Sequence, residues 1–221
     1  MNLEKLGNDL VKCSLNCEGI TNDPTRGIIP RSLIKQERNG KNAVIVVGLN
    51  PGKCNKQEQD YYLKNGFSYK SLQNYFFETN LHNIPYFKRT RDLITSLGFY
   101  GNILWTDLVK CERSSKNGVL PIQTLRVCIN KYLKNEIELF KAPVIFTLGN
   151  LAFDFCALSF PNHFVVGIPH PTGPFINKVF SELKSKIEKN SAFYKKELLN
   201  KRDSNQNIRA IKLSELIAPG N

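Results

Sequence analysis

Four short runs of β-branched and aliphatic residues, each closed by a turn, limit this fold most. They are Asn42–Leu49 (NAVIVVGL), Ile103–Val109 (ILWTDLV), Val144–Leu148 (VIFTL) and Phe164–Ile168 (FVVGI). None alternates polar with apolar residues, so each is expected to be buried on both faces, as parallel strands are. The segments between them have helical spacing. Ile122, Leu125, Cys128, Tyr132 and Leu133 share one helix face behind Pro121, and Leu93 and Leu97 mark a second helix that Gly98 stops. Strands alternating with helices predict an α/β fold, a parallel sheet covered on both faces. Ligands of such sheets bind at the carboxyl ends of the strands. The unusual residues stand in that layer: GLNPG after the first run, TDLVKC at the end of the second, LGN after the third and PHPTG after the fourth.

A length of 221 residues with 41% hydrophobic content suits one domain, residues 1–221, with a full core. Within it, residues 1–40 form an N-terminal segment and residues 178–221 a basic helical C-terminal segment. No apolar run approaches the roughly 20 residues of a membrane span, and MNLEKLGNDLVKC lacks a signal-peptide core. A cytoplasmic monomer away from membranes is expected. Lys and Arg number 31 against 19 Asp and Glu, a net charge of +12, which favours a polyanion such as DNA as partner. Part of the excess lies in KKELLNKR (Lys195–Arg202), which reads as a solvated helix face.

Two residues in the carboxyl-end layer have chemistry to offer. In GLNPG, two glycines and a proline hold Asn50, whose amide has both a donor and an acceptor and can position a water molecule. In IPHPTGPF, His170 stands between two prolines, so the loop is stiff and the imidazole is aimed. Its N–H can stabilise negative charge on a departing group.

The ordered set GLNPG, TDLVKC, TLGNLAF and HPTG resembles the uracil-DNA glycosylase superfamily, from about Ala43 to Phe175. GLNPG is similar to the mismatch-specific and single-strand-selective branches; VKC, the next cysteine and LGxxA are similar to the iron–sulfur branch. The resemblance implies a three-layer α/β/α sandwich with a short central parallel sheet. It also implies a monofunctional enzyme that flips a base from DNA and hydrolyses its glycosidic bond, because that bond is inaccessible in a stacked duplex. On this resemblance Asn50 positions the attacking water and His170 stabilises the leaving base. Phe67, or else Tyr69, stacks on the base, and core packing is the alternative for both rings. Pro174 or Phe175 wedges into the vacated stack. Lys53, Thr172 and the ERSSK loop with Arg113, Ser114 and Lys116 grip phosphates.

The resemblance also bears on the cysteines. Cys13 and Cys17 form one pair near the amino terminus, and Cys111 and Cys128 form another after the second run. The iron–sulfur branch has pairs in these two places, implying a structural [4Fe–4S] cluster, although Cys-x3-Cys stands where Cys-x2-Cys is usual. A tetrathiolate zinc site would use the same four residues, and buried unligated thiols would need no metal. Cys156 is expected in the core, and Cys54 is a free thiol or a substitute ligand.

Asp107 stands where the family commonly has Asn, the residue that reads the base. An ionised carboxylate only accepts, so it leaves uracil O4 without a donor and suits the amino group of a cytosine-type base. A protonated carboxyl would donate as well, given a raised pKa. The expected target is therefore a modified cytosine, as in foreign (phage) DNA, which would make the enzyme one of antiviral defence. The alternatives are a conventional uracil-DNA glycosylase of base excision repair, a non-catalytic DNA- or nucleotide-binding module, and a small-molecule enzyme on a flavodoxin-like sheet. The last is disfavoured because no dinucleotide or phosphate-loop fingerprint is present.

Overall fold

The computed structural model describes all residues except 116–117, 173–175, 204–209 and 218–221. In chain order the first elements are helix α1 (Leu3–Val11), strands β1 (Ile20–Thr21), β2 (Leu33–Gln36) and β3 (Val44–Gly48), and helices α2 (Lys56–Asn65), α3 (Tyr69–Glu78) and α4 (Pro85–Ser96). Strands β4 (Ile103–Asp107) and β5 (Glu112–Arg113), helices α5 (Ile122–Cys128) and α6 (Lys134–Phe140), and β6 (Val144–Leu148) follow. The chain continues with α7 (Asn150–Ser159), β7 (Phe164–Ile168), α8 (Ile176–Lys189), α9 (Ser191–Asp203), β8 (Ala210–Lys212) and α10 (Leu213–Leu216).

The four apolar runs become β3, β4, β6 and β7, and every residue of these strands is buried. They belong to a six-stranded sheet of order β2-β4-β3-β6-β7-β8. Its β3–β6, β6–β7 and β7–β8 pairings are parallel, with Val144 opposite both Val44 and Phe164 and with Val165 opposite Ala210. The result is a mostly parallel sheet flanked by helices, the α/β class expected. Two strands of this sheet were not anticipated. LIKQ in β2 has only two apolar residues, and β8 is a three-residue strand inside the segment read as helical.

The chain divides into two compact units. One comprises residues 1–36, 48–80 and 104–141. In it α1, capped by Asn2 accepting from the Lys5 N–H at 2.8 Å, packs on α3 and α6. Gly7 is required there, because a Cβ would overlap the Tyr69 ring. Pro121 caps α5 rather than opening its first turn, and the helix continues through a π-helical turn, Ile129–Leu133, into α6. Strand β1 pairs antiparallel with β5, setting Ile20 opposite Arg113 and Thr21 opposite Glu112. The second unit comprises residues 37–47, 81–103 and 142–221. There α4 packs on α8, α7 covers β6 and β7, and α10 lies on β7 and β8. Helix α4 stops at Gly98, whose φ of +86° lies in the left-handed region that favours glycine.

The first unit buries an ion pair. Lys110 Nζ is 2.8 Å from Glu136 Oε2, with side-chain exposures of 1% and 0%. The ammonium also donates to the Asp107 carbonyl at 2.7 Å and to the Thr106 hydroxyl, so all three of its hydrogens have acceptors. Removing one partner leaves the other charged and unmatched in the core. Lys110→Met is therefore expected to cost about 3–5 kcal/mol in urea unfolding, and Lys110→Met/Glu136→Leu to recover most of that loss.

Candidate active site

In the first unit the GLNPG turn follows β3 and is held by charged side chains. Asn50 is half-buried, and its amide is engaged at both ends. Oδ1 accepts from Arg113 Nε at 3.0 Å, and Nδ2 donates to the Pro51 carbonyl at 2.8 Å. Two residues on, the Gly52 carbonyl accepts from Arg31, a buried guanidinium that also meets Glu58 at 2.9 Å and Glu112 at 3.1 Å. Glu112 Oε2 accepts the Cys54 N–H at 2.6 Å. Residues 50, 52 and 54 are thus fixed from Arg31 and β5. Sequence inspection gives no sign that Arg31, Glu58 and Glu112 are buried together.

Asp107 ends β4 and is 7% exposed. Its carboxylate accepts from Ser32 Oγ at 2.5 Å. Among the described residues no cation is dedicated to it: Lys110 is committed to Glu136, and Arg31 to Glu58 and Glu112. Burial accordingly raises its pKa to about 7, against the opposing pull of the Ser32 hydrogen bond and the Lys110 charge. The group titrates near neutrality, so a hydrogen-bond donor is available on it.

The four paired cysteines lie in the same unit. Burial raises the Cys111 thiol, and the nearby Cys128, Cys13 and Cys17 push it further in that direction. Cys128 is likewise raised by burial, with Cys17 and Cys13 adding to the shift. The β1–β5 pairing, the Ser114 N–H to Gly19 carbonyl bond at 3.1 Å, and Thr124 Oγ1 donating to the Glu18 carbonyl at 2.8 Å bring the amino-terminal pair to the later one. Four grouped thiols are the donor set of a soft metal, and a bound cation would hold them deprotonated. Among the described residues, no three His, Cys, Asp or Glu side chains converge on a position for one ion. Cys156 is fully buried, as expected. Cys54 is also buried, and desolvation pushes its thiol up to about 12.

His170 belongs to the second unit, after β7. Thr172 holds the ring through its backbone N–H, 3.4 Å from Nδ1, and its hydroxyl, 2.9 Å away. Because the backbone N–H can only donate, Nδ1 is the acceptor and Nε2 carries the hydrogen. Partial desolvation lowers the pKa, so the imidazole is neutral at pH 7. The Tyr86 ring lies 5.8 Å away, and Arg89 of α4 secures the loop by donating to the Pro171 carbonyl at 2.9 Å. Gly149 of LGN has a φ of +83°, which explains the glycine there. Beside His170 a cavity of about 450 Å³ is lined by Asn150, Phe153, Ile168, Lys212 and Ser214. Lys212, on a strand absent from the sequence reading, adds a cation to that wall.

The other expected residues divide as follows. Phe67 is half-buried, whereas Tyr69 is 8% exposed and packs on Gly7 in the core. Lys53 and Ser114 are exposed and able to meet phosphates. Arg113 is tied to Asn50, and the Thr172 hydroxyl to His170. Lys116, Pro174 and Phe175 lie outside the described residues.

A mostly parallel sheet flanked by helices, with an amide-bearing turn after one strand and an imidazole-bearing turn after another, fits the DNA glycosylase class. A family profile described as the uracil DNA glycosylase superfamily matches residues 36–195. The chain belongs to that superfamily, whose members are DNA glycosylases and act on DNA. The match begins after Cys13, Cys17 and Arg31. No curated protein matches the chain. Among the described residues, no helix is long and apolar enough to cross a membrane.

The Asp107 environment has a consequence for stability. Unfolded Asp titrates at about 3.9, whereas the folded group titrates at about 7. The folded protein therefore holds a proton that the unfolded chain releases. That contribution is complete below the unfolded pKa and is lost as pH rises through the folded one. Asp107→Asn is expected to be more stable than wild type in urea at pH 8.5, with the gap narrowing towards pH 5. A gap independent of pH would contradict this reading of Asp107.

Proposed function

We propose that this protein is a monofunctional DNA glycosylase that flips a pyrimidine from DNA and hydrolyses its glycosidic bond. Family membership over residues 36–195 carries this reading. Water attacks the sugar C1′, its oxygen staying there as the hydroxyl of the abasic site, as the bond to the base nitrogen breaks. The departing base takes the electron pair and then a proton. Asn50 Oδ1, an acceptor with a second lone pair beyond its Arg113 bond, positions that water. His170, neutral and with its hydrogen on Nε2, donates to the carbonyl oxygen of the anionic leaving base. Phe67 is the stacking ring in this reading, since Tyr69 sits in the core. Pro174 or Phe175 fills the gap in the stack.

The target we favour is an amino-bearing pyrimidine, a modified cytosine of foreign DNA, with Asp107 accepting from its N4 group. Uracil is the second reading. The raised pKa of Asp107 favours it, because a protonated carboxyl donates to O4 while accepting from N3–H. Cys13, Cys17, Cys111 and Cys128 would hold a [4Fe–4S] cluster, or else zinc, that ties the amino-terminal segment to the loop after β4.

Oligonucleotides carrying uracil, cytosine, 5-hydroxymethylcytosine or its glucosylated form, treated with alkali after incubation, test the reaction. Cleavage at a modified cytosine is expected, with Asn50→Ala and His170→Ala each slower by about 100-fold or more. Release from uracil alone, with preference unchanged in Asp107→Asn, would select the uracil reading. A biological effect intact in Asn50→Ala would select the binding module. For the metal, anaerobically purified protein is expected to be brown with about four irons per chain. One zinc in colourless protein would replace the cluster.

A further inference from the structure

We propose that Arg113 is a positioning residue that sets which way the Asn50 amide faces, so that β5 dictates the geometry of the GLNPG turn. The inference rests on the glycosylase reading of Asn50 and extends it to a residue expected to grip phosphate.

A side-chain amide presents an acceptor on one side and two donors on the other, and a half-turn of the amide exchanges them. A water molecule about to attack must give its hydrogen to the oxygen. With nitrogen in that place the water would be oriented backwards. An unaided Asn at a turn has no means of choosing. Here the choice is made twice. Arg113 Nε–H, which can only donate, stands 3.0 Å from one side of the amide and therefore demands the oxygen there. The Pro51 carbonyl, which can only accept, stands 2.8 Å from the other and demands the nitrogen. The opposite orientation sets donor against donor and acceptor against acceptor.

Arg113 is itself fixed. Its backbone is in register with Ile20 across the β1–β5 pair, and its NH1 donates to the Gly118 carbonyl at 3.3 Å. The adjacent residue, Glu112, reaches the same turn through the Cys54 N–H and Arg31, which grips the Gly52 carbonyl. Two consecutive side chains thus hold the turn at its beginning and end. A guanidinium suits the task because its N–H groups form a rigid fork that bonds two acceptors at set angles, whereas an ammonium is a point charge on a flexible stem. Strand β5 begins directly after Cys111, so the segment that carries the thiols also carries the support for the amide.

A double-mutant cycle between Arg113 and Asn50 tests the assignment by single-turnover release from the preferred oligonucleotide. Arg113→Ala is expected to lower the chemical rate by about 10- to 100-fold with little change in DNA affinity. In the Asn50→Ala background the same change is expected to cost nothing further. Arg113→Lys should not restore the rate, and methylguanidinium should partly restore Arg113→Ala. A weaker affinity, a shallower salt dependence and additive losses would instead make Arg113 a phosphate contact and overturn the proposal. A readout independent of activity is the side-chain NH2 resonance pair of Asn50 in ¹⁵N-labelled protein, assigned by its loss in Asn50→Ala. Arg113→Ala should shift or broaden the pair. An unmoved pair would overturn the proposal even if the rates behaved as expected. Should the wild type release no base at all, the glycosylase reading fails, while these resonances still decide whether Arg113 orients the amide.

Discussion

The GLNPG turn of the first unit depends on a buried carboxylate, Glu112, and the two donors that converge on one of its oxygens. The Cys54 N–H and the Arg31 guanidinium both point at Oε2, and through Arg31 the same charge reaches Glu58 and the Gly52 carbonyl. Burying such a charge is tolerable only when it is bonded on several sides. The bonds that meet this requirement are the ones that give the GLNPG turn its shape. Loss of Glu112 would leave a buried guanidinium short of one partner and the Cys54 N–H without its acceptor. The turn, the helix after it and the two-residue strand β5 therefore form one electrostatic assembly.

A second assembly lies beside it. Lys110 and Thr106 both donate to Glu136 Oε2, and the Asp107 carboxylate accepts from a serine hydroxyl. Two buried cations, Lys110 and Arg31, serve four carboxylates: Glu58, Glu112, Glu136 and Asp107. Burial raises the pKa of Asp107, and the nearby Glu136 charge adds to the shift. An aspartate here need not be the purely accepting group that its formal charge suggests.

How much of this was legible in the sequence follows from the physics of each signal. Strands β3, β4, β6 and β7 were readable because parallel strands buried on both faces are written as unbroken apolar runs. Strands β2 and β8 were not, since LIKQ and AIK carry too few apolar residues to stand out from loops. The order of motifs placed Asn50, Asp107 and His170 at the ends of strands, where they lie. Their partners were hidden. Nothing in the letters distinguishes the buried Arg31 and Glu112 from surface charges, and Arg113 reads as a phosphate contact because any exposed arginine on a basic protein does. The Thr172 bond to His170, which assigns the tautomer, was nearer to reach, because the two residues stand only two positions apart.

The most direct test of the central claim is mass spectrometry of the small molecules released when the protein meets DNA containing both ordinary and modified pyrimidines. One free pyrimidine base is expected to appear in step with abasic sites, the DNA backbone remaining intact. Release of a nucleoside or nucleotide, or DNA bound with nothing released, would contradict it.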